Sequence, residues 1–244
     1  MVDQKLFSIR MRAVGSDGER GYKVNITFEN KSTDTTYGFW LECAAVNGVQ
    51  CNLRVSTEVG AGQKAKESIL LPMHYLDKNI IGDYTDIELT FLVYDVVDWL
   101  TSDVLKTVHA YPHGKDKAVT YVRQRQESDR VIMDNEYLTV VVTDYEKACR
   151  GAYMANLFIQ NKSRRNLLLS VEEMSADGEP TDSIWAQSVW ARKSAFSTAF
   201  YLRSPSREGV ADDEEKKVRF RLDAFDIRDW SFQGIEDETF ILNI

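Results

Sequence analysis

Apolar and polar residues alternate along much of the chain, and this period of two predicts β-strands. Between Tyr22 and Phe28 the apolar residues are separated by Lys23, Asn25 and Thr27, which indicates a half-buried strand with one face in water. The run 87–93 has the same period. Shorter runs predict further strands at about 4–13, 36–46, 49–57, 63–71 and 104–111. Regularly spaced short strands of this kind are typical of antiparallel sheet proteins.

The same order of features returns 131 positions further along the chain. Asn30-Lys31-Ser32 ends one predicted strand, and Asn161-Lys162-Ser163 ends its counterpart. Asp95-Val96-Val97-Asp98-Trp99 closes another strand and returns as Asp226-Ile227-Arg228-Asp229-Trp230. This recurrence predicts an internal duplication.

Each copy holds seven predicted strands, which is the number expected of an immunoglobulin-like sandwich. The predicted fold is therefore all-β, with two tandem immunoglobulin-like antiparallel β-sandwich domains. Their predicted bounds are 1–113 and 131–244, joined by a linker at 114–130. The linker is polar and mildly basic, and we expect it to be partly ordered because it is not rich in glycine and serine.

The overall charge narrows the classes of partner. Thirty lysines and arginines stand against thirty-eight acidic residues, a net charge of −8. Nucleic acids and anionic membrane surfaces both require a basic face, so neither is predicted as a partner. No apolar run approaches the roughly 18 residues that span a bilayer, so no membrane insertion by this segment is predicted. The N-terminus lacks a signal-peptide pattern, which indicates a cytoplasmic protein, or a cell-surface one if an upstream targeting segment was removed.

Three cysteines do not make a disulfide framework. Cys43 and Cys51 flank Asn47-Gly48, a dipeptide that favours a two-residue type I′ hairpin turn. In that register residue 44 faces Cys51, so the two sulfurs point to opposite sides of the sheet. A bulged three-residue loop would bring them together. We expect free, partly buried thiols, and the sequence leaves the redox state of the pair open.

The repeated Asp-x-x-Asp-Trp motif allows two interpretations. As a site, Asp95 and Asp98 would hold a metal ion or perform acid–base chemistry, but a calcium ion needs six to eight oxygens. As a structural motif, the first aspartate caps the strand end in an Asx turn and the tryptophan closes the end of the sandwich. Both copies retain these residues, so we interpret Asp95, Asp98, Trp99 and their counterparts Asp226, Asp229 and Trp230 as structural.

No other motif predicts catalysis or a cofactor. The histidines, His74, His109 and His113, lie on no metal-binding pattern, and zinc needs three or four converging ligands. The sequence also lacks a Gly-x-Ser-x-Gly elbow and a glycine-rich phosphate loop. We therefore predict no enzyme activity, no catalytic residues, no metal ligands and no cofactor.

Three tryptophans interrupt the repeat and are candidate ligand-stacking residues. Trp40, Trp185 and Trp190 align near Val171, Val55 and Gly60, so each occurs in one copy only. An exposed aromatic ring can stack on a sugar or bind a partner side chain. Trp185 and Trp190 are five apart and would face opposite ways on one strand, which favours ordinary packing for these two.

The chain resembles a family of uncharacterised tandem immunoglobulin-like β-sandwich repeat proteins of Gram-positive gut bacteria. The residues that carry the resemblance are Met133-Asp134-Asn135, Ile159-Gln160-Asn161-Lys162, Asn47-Gly48, Val93 to Trp99 and Thr107 to Pro112. The resemblance covers nearly the whole chain, once per copy. It implies an immunoglobulin-like fold and no established activity, and it implies no catalytic residues.

The first functional expectation is a non-catalytic interaction or spacer module of the cell envelope, with an unknown protein or glycan as partner. The alternative is a carbohydrate-binding module that uses the exposed tryptophans. A metal-dependent hydrolase is the least favoured hypothesis, because Asp95 and Asp98 are too few to hold a cation unless a loop supplies a further carboxylate.

Overall fold

The computed structural model describes residues 1–16, 21–72, 83–98, 104–147, 152–176, 179–180, 185–203, 217–228 and 239–243. The protein is all-β in this part, apart from one 3-10 turn at Lys115–Lys117. The chain divides into two compact units, Met1–Val122 and Arg123–Ile244. The boundary therefore falls inside the predicted linker, whose residues 114–122 belong to the first unit and whose residues 123–130 belong to the second.

The described part of the first unit contains nine strands in two sheets. They are β1 (Val2–Asp3), β2 (Phe7–Ser16), β3 (Gly21–Asn30), β4 (Tyr37–Val46), β5 (Val49–Cys51), β6 (Ser56–Val59), β7 (Lys64–Pro72), β8 (Ile87–Asp95) and β9 (Val104–Ala110). One sheet has the order β1-β2-β3-β7, and the other has the order β5-β4-β8-β9, with β6 also paired to β4. All of these pairs are antiparallel.

The described part of the second unit contains the same arrangement of strands. They are β10 (Arg130–Asp134), β11 (Leu138–Lys147), β12 (Ala152–Asn161), β13 (Leu167–Ala176), β14 (Glu179–Pro180), β15 (Ala186–Val189), β16 (Ser194–Arg203), β17 (Lys217–Asp226) and β18 (Thr239–Asn243). One sheet of this unit has the order β10-β11-β12-β16. The other has the order β14-β13-β17-β18, with β15 paired to β13.

The alternation of apolar residues packs the two sheets of each unit face to face. In the first unit Phe28 of β3 meets Phe39 of β4 at 4.7 Å and Phe91 of β8 at 5.2 Å between ring centroids. All three rings are fully buried. In the second unit Leu157 of one sheet and Phe220 of the other belong to a single buried cluster. Each unit is thus a β-sandwich whose inward positions form the core.

A buried asparagine closes the same loop in each unit. Asn30 is 1% exposed; its Nδ2 donates to the carbonyls of Thr35 (2.7 Å) and Val59 (2.8 Å). Its Oδ1 accepts from the main-chain N–H (2.9 Å) and the hydroxyl (2.8 Å) of Ser32. These bonds satisfy a polar side chain that would otherwise be costly to bury.

Asn161 repeats this set of bonds in the second unit. It is also 1% exposed, and its Nδ2 donates to the carbonyls of Arg165 (2.7 Å) and Val189 (2.8 Å). Its Oδ1 accepts from the N–H (2.9 Å) and the hydroxyl (2.7 Å) of Ser163. The repeated Asn-Lys-Ser sequence therefore has the same structural use in both units.

The Asn47-Gly48 turn has the geometry predicted for it. Both residues have positive φ, 52° and 83°, as a type I′ turn requires. In the resulting register Ala44 pairs with Cys51. Cys43 is therefore one position away from the residue that faces Cys51. Both thiols are buried, and neither forms a disulfide. Cys149 and the counterpart turn at 177–178 lie outside the described residues.

Two predicted strands are wrong in their extent. The run 49–57 is broken into β5 and β6, because the N–H of Leu53 bonds back to the carbonyl of Cys51 (3.0 Å) and turns the chain. β5 pairs with positions 44–46 of β4, and β6 pairs separately with positions 37–40 of the same strand. The run 4–13 likewise contains a turn, since the N–H of Gln4 donates to the carbonyl of Phe7 (2.8 Å) and separates β1 from β2.

Both halves of the predicted linker are ordered against their own unit. Tyr121 donates its N–H to the carbonyl of Asn47 (2.8 Å) in the first unit. In the second unit Arg123 forms a two-pronged ion pair with Asp129, with N–O distances of 2.5 and 2.6 Å, and lies over the ring of Phe158. No helix in the described ranges has the length and apolar character needed to cross a membrane.

Candidate functional site

Trp40 projects from the outward face of β4 in the first unit. Its neighbours in the strand, Phe39 and Leu41, point into the core, and the Trp40 side chain is left 44% exposed. Trp40 pairs directly with Leu92 of β8, and Leu92 pairs with Leu105 of β9. Directly paired residues share one face of an antiparallel sheet. A tryptophan and two leucines therefore form one row across this face.

Tyr94 extends this row into a continuous apolar strip. It pairs with Gly38, and a Cβ on Gly38 would lie 2.3 Å from the tyrosine ring, so the ring rests over the glycine. Gly38 and Trp40 are two positions apart on the same face of β4, which makes Trp40 and Tyr94 diagonal neighbours. We call the surface formed by Trp40, Leu92, Leu105 and Tyr94 the Trp40 strip.

Trp185 and Trp190 lie in the second unit and are only partly exposed. Trp185 packs against the buried core cluster, and its indole N–H donates to the hydroxyl of Ser197 (3.1 Å). Its carbonyl accepts from Val171 (3.4 Å). The Trp190 carbonyl accepts from the N–H of Lys193 (3.0 Å) in the turn that leads into β16. Of the three tryptophans predicted as stacking residues, Trp40 presents the most open ring.

The aspartates of the repeated motif are engaged by the main chain. The Oδ1 of Asp95 accepts from the N–H groups of Val97 (2.8 Å) and Asp98 (3.4 Å) at the end of β8. Asp226 accepts from Arg228 (2.9 Å) in the same way at the end of β17. This is the geometry of an Asx turn, in which the carboxylate replaces a main-chain acceptor. Trp99, Asp229 and Trp230 lie outside the described residues.

A cluster of two carboxylates and a histidine, which the sequence did not predict, lies at the opposite end of β8 from Asp95. Glu88 of β8 pairs with His109 of β9, and Asp86 immediately precedes β8. The Nδ1 of His109 is 2.8 Å from Asp86 Oδ1, and its Nε2 is 3.7 Å from Glu88 Oε2. The imidazole stacks on Tyr111 with centroids 5.5 Å apart. Burial raises the pKa of Tyr111, and the carboxylates of Asp86 and Glu88 raise it further.

The cluster is arranged around the imidazole. Its three ligand atoms lie within 4.8 Å of one another, close enough to consider a metal ion. Metal ligands must converge on one point, however, and here Asp86 and Glu88 approach different ring nitrogens of His109. One carboxylate at each nitrogen suits a hydrogen-bonded histidine that ties β9 to β8. Only the register of these strands brings the residues together, which explains why spacing along the chain gave no signal.

The described thiols are poorly suited to nucleophilic chemistry. Cys51 is 6% exposed, and burial raises its pKa to about 12. Cys43 is 5% exposed. A reactive cysteine requires a lowered pKa and access to solvent, because the thiolate is the nucleophile.

No protein-family model matches the chain, and no curated protein matches it. Among solved structures, it is similar to a crystal structure of red sea bream transglutaminase at 11% identity and a TM-score of 0.31, over 99% of this chain and 31% of that one. It is also similar to a crystal structure of the YadV chaperone at 12% identity and a TM-score of 0.27, over 96% of this chain and 99% of that one. Likenesses at these TM-scores assign neither a fold family nor an activity.

Proposed function

We propose that this chain is a non-catalytic binding module built from two tandem immunoglobulin-like β-sandwich domains that arose by duplication. Two observations support the duplication: the same order of the nine strands described in each unit, and the same four hydrogen bonds around Asn30 and Asn161. The family resemblance carried by Val93 to Trp99 agrees with it. In this proposal the domains are rigid supports and their outward faces carry the function.

The binding surface in this proposal is the Trp40 strip. Trp40 is the observation that carries it, because a tryptophan held 44% exposed on a β-strand is not explained by core packing. Its row neighbours Leu92 and Leu105 are aliphatic and only partly buried. Tryptophan and tyrosine are enriched at the energetic centre of protein–protein interfaces. The favoured occupant is therefore an apolar surface of a partner protein.

Site-specific photo-crosslinking in the source cells tests this proposal. A benzoylphenylalanine at position 56, where the exposed Ser56 pairs with Trp40, leaves the tryptophan in place. It is compared with one at position 115, where Lys115 is exposed on the 3-10 turn. We expect a discrete adduct from position 56 only, and its loss when Leu92→Asp places a charge in the Trp40 row. The same adducts from both positions, or none from position 56, would contradict the proposed surface.

Carbohydrate binding is the second candidate, because the exposed Trp40 ring stands beside the hydroxyl-bearing Ser56 on a flat sheet face. A sugar ring would stack on the indole and bond to such polar neighbours. Tryptophan fluorescence titrated with neutral polysaccharides tests it, with Trp40→Ala as the matched control. A spectral change that survives in the variant, or the absence of any change, counts against stacking on Trp40.

A further inference from the structure

We propose that the outward face of the β1-β2-β3-β7 sheet binds an anionic polysaccharide. Arg10 and Arg12 of β2 project from this face, together with Lys23 of β3 and Lys66 of β7. We call these four side chains the basic face. Three of them are exposed and Lys23 is partly exposed. This surface belongs to the sheet opposite the Trp40 strip, and the inference does not depend on that strip.

Strand pairing fixes the layout of the cations. Arg10 pairs with Thr27, and Thr27 pairs with Lys66, so these three side chains form one row. Arg12 is two positions along the same strand, about 7 Å away. Two strand spacings of about 5 Å each separate Arg10 from Lys66. The cations therefore cover an area across which an extended polymer can lie.

The basic face is not neutralised by the described acidic residues. Two carboxylates lie on the same face, and each is already paired with another lysine: Glu29 with Lys64 at 2.8 Å, and Asp3 with Lys31. Within the described ranges, none of the four cations has a carboxylate at ion-pair distance. Asp3 is close enough to Arg10 for the guanidinium to help lower the pKa of that carboxyl, but the described cations of this face outnumber its two carboxylates, so a net positive potential is available to a ligand.

The fold does not require these charges. The second unit has the same row of three strands, where Val141 pairs with Phe158 and Phe158 pairs with Phe196. Val141 and Phe158 are buried there, and the two phenylalanine rings are 5.1 Å apart. One sandwich thus carries apolar residues where the other carries cations. The sheet forms with either set, so folding alone does not account for the cations.

A polysaccharide suits the side chains that lie between the cations. Thr27 stands between Arg10 and Lys66, and the adjoining row holds Asn25 and Ser68, joined by a bond of 2.9 Å. Hydroxyl and amide groups can bond to sugar hydroxyls, while guanidinium groups bind carboxylates or sulfates with two parallel bonds. No aromatic anchor of the kind that protein interfaces use projects from the described part of this face.

The acidic character of the whole chain does not oppose this binding at short range. Its net charge of −8 is distributed over 244 residues. At physiological ionic strength charges are screened beyond about 8 Å. A polymer lying on the sheet is therefore influenced mainly by the four cations beneath it. For the same reason its affinity must fall as salt is added.

Biolayer interferometry on immobilised polygalacturonate tests the inference with the full chain. We expect binding that weakens with added salt, no binding to neutral dextran, and a loss of about tenfold in the variant Arg10→Gln/Lys66→Gln. The control Lys115→Gln/Lys117→Gln removes the same charge from the 3-10 turn and should bind like the wild type. Trp40→Ala should also bind normally, which separates this face from the proposed protein-binding strip.

Three outcomes would overturn the inference. They are no binding of the wild type to polygalacturonate, equal losses in the two double variants, and tighter binding to poly-L-glutamate of matched charge. The second outcome would mean that only overall charge matters. The third would mean that the face recognises an acidic peptide.

Discussion

The buried asparagines allow a paired test of the repeated architecture. Replacing Asn30 with Ala removes both donors and the acceptor of a side chain that is 1% exposed. The carbonyl of Val59 and the N–H of Ser32 then each lose the bond that Asn30 made. The carbonyl of Thr35 can accept the Ser32 hydroxyl proton instead, since the two oxygens are 2.7 Å apart and Asn30 no longer takes that proton.

The expected loss of stability follows from these hydrogen bonds. Each buried group left without a partner costs roughly 1–3 kcal/mol, and each lost hydrogen bond contributes about 1 kcal/mol. For Asn30→Ala we expect the first unit to lose about 3 kcal/mol of unfolding free energy. Asn161→Ala should cost the second unit a similar amount, because its bonds to Val189 and Ser163 match within 0.1 Å.

Hydrogen exchange measured by mass spectrometry reports each unit separately, which a single melting curve cannot do for two domains. Protection should fall in peptides of β3 and β7 for Asn30→Ala, and in peptides of β12 and β16 for Asn161→Ala. Asn25→Ala is the matched control, since Asn25 lies exposed on the same strand as Asn30 and should change stability by less than about 0.5 kcal/mol. If Asn30→Ala behaves like this control, or the two buried sites differ severalfold, the reasoning is refuted.

Three further predictions concern titratable groups. The hydrogen bonds from Arg123 lower the pKa of Asp129 below its ordinary 3.8, so the pair stabilises the second unit above that pH and loses its effect as the pH falls through the lowered value. Asp129→Asn should therefore lower the unfolding free energy measured by urea denaturation by about 3 kcal/mol at neutral pH and by much less in acid. An equal loss at both pH values would contradict this assignment. Because burial raises the pKa of Cys51, little thiolate forms, and Cys51 in a Cys43→Ala background should react with a thiol reagent roughly a thousandfold more slowly than a free cysteine at about pH 8. Reaction at the rate of a free cysteine would contradict this prediction. His109→Ala should lower the stability of the first unit, measured by hydrogen exchange, by about 1 kcal/mol. Unchanged protection of the amides of β8 and β9 would show that the histidine does not join these strands.

The sequence predicted those features that depend on local chemistry. Asn47-Gly48 can adopt two positive φ values, so both the hairpin and the separation of Cys43 from Cys51 followed from the dipeptide. The alternation of residues likewise identified the inward positions of the long strands. The break inside 49–57 could not be predicted, because the turn from Cys51 to Leu53 contains neither glycine nor proline.

The sequence did not predict features that depend on strand register or on where charged residues cluster. Glu88 and His109 are 21 positions apart and meet only because β8 and β9 pair in one particular register. The net charge suggested that the protein has no basic surface, whereas Arg10 and Lys66 lie on one face through their shared partner Thr27. Net charge is a sum, and it does not show where charges gather.

The central claim, that Trp40 lies in a binding surface, is tested most directly by oxidative footprinting in intact source cells. Hydroxyl radicals label exposed indole rings, and Trp40 is 44% exposed in the isolated chain. Its labelling in cells is compared with that of the purified protein, with the exposed ring of His113 as the internal reference. We predict that labelling of Trp40 falls severalfold in cells while labelling of His113 is unchanged. Equal labelling of Trp40 in cells and in the purified protein would contradict the claim.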